Sequence, residues 1–110
     1  MWTQKDALLL VQDIYAYFMA DEFGVYPALT GGLCYKHGDR KDCDIVLYMN
    51  RQKALIPQKD VIKDLEGLPG LRFIRNCGFV TKWAYNDKPV DIMFPEWYTS
   101  GDDGYAIARD

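Results

Sequence analysis

Carboxylates set into strand-like apolar runs constrain this chain more than any other feature. Asp42-Cys43-Asp44 opens the run Ile45-Val46-Leu47-Tyr48, and Asp91 sits inside Val90-Asp91-Ile92-Met93-Phe94. A charge carried into a strand is costly to desolvate unless something cationic meets it. Upstream lies Gly31-Gly32, where backbone N–H groups can approach an anion with no side chain in the way. Between the glycines and the carboxylates stand Lys36, His37, Arg40 and Lys41. Three carboxylates with a glycine turn upstream suggest a metal and phosphate site.

The segments around these residues set the expected fold. Residues from about 3 to 22 carry Leu10, Ile14 and Phe18, with Ala7, Val11 and Tyr15 beside them, at helical spacing. Thr3 and Asp6 form an N-terminal capping pair, and Gly24 can close the other end. Val25 to Thr30 contains Pro27 and reads as an edge strand, after which the two glycines force a turn. Asp42 to Asn50 is rich in β-branched and aromatic residues and reads as a strand. Pro57 to Glu66 predicts a second helix, with Val61, Leu65 and Leu68 on its inner face. Leu71 to Asn76 and Phe79 to Tyr85 are further strands. Asn86-Asp87-Lys88 then turns the chain into Pro89–Phe94 as a hairpin. The expectation is an α+β domain over residues 1–110: a mixed β-sheet with helices packed on one side, a core from about 25 to 94, and a tail from 95 to 110.

Composition narrows the function classes. At 110 residues there is room for one domain and its core. A net charge of −3 supplies no general attraction for nucleic acid, so any such contact needs a local basic patch. Three cysteines without a Cys-x-x-Cys pair make no disulfide framework, and reduced thiols fit a cytoplasmic protein. No signal peptide is evident, and Ala7 to Val11 is far too short an apolar run for a membrane span. A zinc site from Cys34, His37, Cys43 and Cys77 matches no common ligand spacing, and Cys43 should face away from the carboxylates.

On a strand, Asp42 and Asp44 project from one face, with Cα atoms roughly 6.5 Å apart. That lets both reach ions about 3.5–4 Å from each other, the separation used in two-metal phosphoryl chemistry. Asp91, on a strand paired nearby, could complete the cage. Oxygen-only ligands favour magnesium or manganese over zinc. Tyr48, Trp83 and Tyr85 could stack on a base, although packing on the sheet is their better default, and Asp102 and Asp103 read as a solvent-facing turn.

A Gly-Gly after an apolar strand, an Asp-x-Asp at the start of the next and a later lone Asp together resemble the DNA polymerase β-like nucleotidyltransferase superfamily. The stretch Gly31-Gly32…His37-Gly38…Arg40-Lys41-Asp42-Cys43-Asp44-Ile45 looks most like its minimal and toxin-type members. The resemblance covers roughly residues 25 to 94. It implies a nucleoside triphosphate held against Gly31 and Gly32; Lys36, His37, Arg40 and Lys41 read either as a group that neutralises its phosphates or contacts the acceptor, or equally as a solvated loop. It implies magnesium, or manganese, ligated by Asp42, Asp44 and Asp91. A nucleoside monophosphate would pass to an acceptor hydroxyl on RNA, protein or a small molecule. A partner protein or second copy could complete the site. Many relatives carry serine where Gly32 stands, which leaves open a second reading: a catalytically silent domain of the same fold acting as a binding or inhibitory partner.

Overall fold

The structure, a computed structural model, describes residues 1–20, 25–35, 38–49 and 57–95. Its elements are α1 (Gln4–Ala20), β1 (Val25–Thr30), α2 (Gly32–Tyr35), β2 (Cys43–Met49), α3 (Gln58–Leu65), β3 (Leu71–Cys77), β4 (Val80–Tyr85) and β5 (Lys88–Met93). The five strands form one mixed sheet in the order β1-β2-β5-β4-β3. Only β2 and β5 run parallel; every other neighbour pair is antiparallel. The expected α+β class and mixed sheet are what the chain adopts. Gly24 and the tail beyond Pro95 lie outside the described residues.

Helix α1 begins where its cap dictates, with the Asp6 N–H donating to Thr3 Oγ1 at 3.0 Å. Ala7, Leu10, Ile14 and Phe18 are buried along one stripe. Tyr15, grouped with that stripe in the sequence reading, is instead exposed and tilts against Tyr26 with ring centroids 6.3 Å apart. In α3, Val61 and Leu65 are buried, as is Leu68 just beyond it. These side chains form one core with Cys43, Ile45 and Leu47 of β2, Val90 and Ile92 of β5, and Trp83 of β4. Alternation along each strand therefore puts the other side chains on the opposite sheet face, which no helix among the described residues covers. None of the described helices is long and apolar enough to cross a membrane.

Pro27 is tolerated because β1 is an edge strand. The β4–β5 hairpin turns at Asn86 and Asp87, both left-handed, with φ of 50° and 68°. The consequential feature is the position of β5. It is the last strand among the described residues, yet it inserts between β4 and β2 and brings Asp91 beside the Asp44 strand.

Periodicity gave no sign of Trp2's role. Trp2 is buried, pairs with Arg40 through N–H···O bonds of 2.7 and 3.0 Å, and donates from Nε1 to the Pro89 carbonyl at 2.6 Å. Tyr85 stacks on its ring at 6.3 Å and Lys88 Nζ lies 5.1 Å from the ring centre. Those contacts fasten the segment just before β2 to the rest of the fold, and with it the backbone of Arg40.

Candidate functional site

The site is built on one row of cross-strand partners. Thr30 of β1 lies opposite Asp44 of β2, Asp44 beside Asp91 of β5, and Asp91 opposite Lys82 of β4. All four project from the uncovered face, because Cys43, Val90 and Trp83, their neighbours along the strands, point into the core. Adjacent strands lie about 4.8 Å apart, so the Asp44 and Asp91 carboxylates share one small volume. Asp42 is exposed and precedes the first residue of β2, so strand alternation does not fix its direction as the sequence reading supposed.

Gly31 closes one side. Its backbone is left-handed, with φ of 70°, and it presses against Asp44: a Cβ built there would collide with Oδ2 and stand 3.0 Å from Cγ. Gly32 starts the short α2 rather than continuing a plain turn, and a Cβ on it would meet Arg40 Nε at 3.1 Å. The glycine pair is thus packed between the Asp44 carboxylate and the Arg40 side chain. Of the basic residues expected near phosphate, Arg40 is beside the glycines and Lys41 is exposed one residue on. Lys36 and His37 lie outside the described residues.

Electrostatics single out Asp44. Burial raises its pKa above the ordinary carboxylate value, the negative charges of Asp91 and Asp42 raise it further, and Lys82 opposes them. Lys82 Nζ meets Asp91 Oδ2 at 3.0 Å, and this hydrogen bond, with the Asp91 charge, raises the lysine's own pKa. Lys82 was absent from the sequence reading. Its one signal there was alternation, since a lysine next to a core tryptophan on a strand must face the other way.

Carboxylates crowded enough to raise the Asp44 pKa suit a hard divalent cation, which would neutralise that repulsion. The donor set fits magnesium in kind, but only a pair of carboxylates is assembled. Among the described residues no three His, Cys, Asp or Glu side chains are grouped to hold a metal ion. Asp91 is occupied by Lys82, so a cation there competes with the ammonium. The cysteines offer no alternative: Cys43 is buried, its thiol pushed up to about 12 chiefly by that burial, while Cys34 and Cys77 are exposed. Trp83 is a core residue and Tyr85 stacks on Trp2, which removes both as base platforms; Tyr48 alone is exposed, at 53 %.

No protein-family model matches the chain, and no curated protein matches it. The residues themselves therefore carry the functional reading.

The raised Asp44 pKa has a stability consequence whose sign is fixed. A carboxyl with a higher pKa folded than unfolded favours the native state when protonated, so its contribution is lost as pH rises through the ordinary carboxylate range to the raised value. Asp44→Asn, measured in chelator, is expected to melt higher than wild type at neutral pH. The gap should close in acid below about pH 4, where both states are protonated. A variant that melts lower than wild type at neutral pH would contradict the charge crowding.

Proposed function

We propose that this chain is a compact nucleotidyltransferase domain that binds a nucleoside triphosphate with magnesium and passes its nucleoside monophosphate to an acceptor hydroxyl. The observation that carries the reading is the Asp44–Asp91 pair on neighbouring parallel strands, with Gly31 pressed against Asp44. Glycine, carboxylate and carboxylate are far apart in sequence, and no packing requirement asks for two like charges side by side. Asp44 and Asp91 would hold the cation, with Asp42, just before β2, as the third carboxylate that could turn to it, and manganese could replace magnesium. When bound, it neutralises phosphate charge.

The chain's own residues then supply position and charge. Backbone N–H groups at Gly31 and Gly32 take the triphosphate, Arg40 lies along the same turn, and Lys36 and Lys41 neutralise the outer phosphates. Asp91 orients the acceptor by accepting the hydroxyl's hydrogen bond. The hydroxyl oxygen forms a bond to the α-phosphorus, the α–β bridging bond breaks, pyrophosphate leaves, and the proton goes to solvent. Catalysis of this kind comes from positioning and charge neutralisation.

Titration calorimetry with each nucleoside triphosphate in magnesium tests the reading. Wild type should bind at least one of them, and Asp44→Asn should not. Absence of magnesium-dependent binding in wild type overturns it, and binding undiminished in the variant moves the site elsewhere. One observation favours the silent alternative: Lys82 already neutralises the third carboxylate. That reading expects triphosphate binding without pyrophosphate release when labelled nucleotide is incubated with cell extract.

A further inference from the structure

The uncovered sheet face carries a second feature, on the side of Asp91 away from the glycines. Strand β3 pairs with β4 so that Phe73 lies opposite Trp83 and Arg75 opposite Lys82, leaving Ile74 as one extra residue. Such a bulge shifts the alternation by one. Arg72 and Arg75 are three apart and would face opposite sides of a regular strand. With Ile74 inserted, both face the open side: Arg72 opposite Ala84 and Arg75 opposite Lys82. Phe73 keeps its place in the core, its ring 5.1 Å from that of Trp83. Arg75 and Lys82 are direct cross-strand partners and so share a face.

Both arginines are exposed, and neither has an ion-pair partner among the described residues. Together with Lys82, itself paired to Asp91, they make a local concentration of three cations in a chain of net charge −3. It continues the row described above: Asp44, Asp91, Lys82, Arg75 across four neighbouring strands. At the other side, Asp44, Val46 and Tyr48 alternate onto the open face of β2, and Tyr48 is 53 % exposed. From β3 to β2 the face spans three strand spacings, about 14 Å.

We propose that this open face binds single-stranded RNA, with Arg72, Arg75 and Lys82 on its phosphates and Tyr48 under a base. Cations that follow a backbone, joined to an exposed aromatic that stacks on bases, are how single strands are held. Guanidinium forks match phosphate oxygens in geometry as well as charge. Asp44 and Asp91, in the same row as Lys82 and Arg75 and about 13 Å along β2 from Tyr48, choose among nucleic acids. They repel phosphate, but they accept hydrogen bonds from 2′-hydroxyls, which DNA lacks. An acidic peptide would use the cations and leave Tyr48 without a role.

Fluorescence anisotropy of a labelled single-stranded RNA oligonucleotide, in chelator and at low salt with no triphosphate present, tests this surface apart from nucleotide binding. Arg72→Gln/Arg75→Gln is expected to weaken binding at least about tenfold and to reduce the salt slope by roughly 0.7 per arginine removed. Tyr48→Ala should weaken it with the salt slope unchanged. Lys59→Gln/Lys63→Gln, on the exposed side of α3, should leave it within about twofold. The assignment is overturned if wild type does not bind the RNA, if the α3 pair loses as much as the arginine pair, or if DNA of the same sequence binds equally well.

Discussion

Trp83→Ala is expected to remove about 3–5 kcal/mol of stability, the range for deleting a large buried aromatic side chain. Trp83 is 1 % exposed in the middle of β4, packs edge-on against Phe73, and lies opposite Val90, the residue before Asp91. Its Nε1 donates to Thr81 Oγ1 at 2.7 Å, and that hydroxyl donates onward to the Ile92 carbonyl at 2.7 Å. Alanine leaves a void and also strips a buried hydroxyl of one partner, two losses that add. With typical domain stability of about 5–15 kcal/mol, the variant keeps little margin. Urea unfolding followed by circular dichroism measures the loss. Trp83→Phe separates the causes: it keeps most of the volume, gives up the donor, and should lose only about 1–2 kcal/mol. A loss below about 1 kcal/mol for alanine would mean that Trp83 is not the packing centre of the sheet.

Elements with a local signature were legible in the sequence. The α1 stripe, its Thr3 cap, the Pro27 edge strand and the Asn86-Asp87 turn each state their structure within a few residues, and apart from the exposed Tyr15 each is found where periodicity and turn chemistry put it. The neighbourhood of Asp44 and Asp91 was legible in a weaker sense. A charge inside Val90-Asp91-Ile92 demands a reason, but which strand lies beside it depends on the order of the whole sheet. Asp42 shows the limit of alternation: the rule holds only inside a ladder, and β2 starts one residue later. Lys82 against Asp91 and the bulge at Ile74 depend on pairings between strands, which single-strand periodicity does not encode. Trp2 was illegible for the same reason, since its partners Arg40, Tyr85 and Pro89 are all remote in sequence.

Gly31→Ala is expected to destabilise the fold by about 2–4 kcal/mol and to abolish any magnesium-dependent nucleotide binding. Two causes act at one atom. A non-glycine residue held at a left-handed φ of 70° costs about 1–2 kcal/mol. The new methyl also collides with Asp44 Oδ2, and Asp44 cannot retreat, because β2 is fixed between β1 on one side and β5 on the other. The carboxylate must rotate away from its place, taking the Asp44–Asp91 pair apart. A double-mutant cycle with Asp44→Ala tests the contact. Removing the carboxylate first should leave only the backbone cost of the glycine substitution, giving a coupling of at least about 1 kcal/mol. Strictly additive losses would show that the methyl and the carboxylate never meet. Coupling together with lost nucleotide binding would mean something more specific: at Gly31 the turn that approaches phosphate and the strand that carries the carboxylate touch, so neither can change without the other.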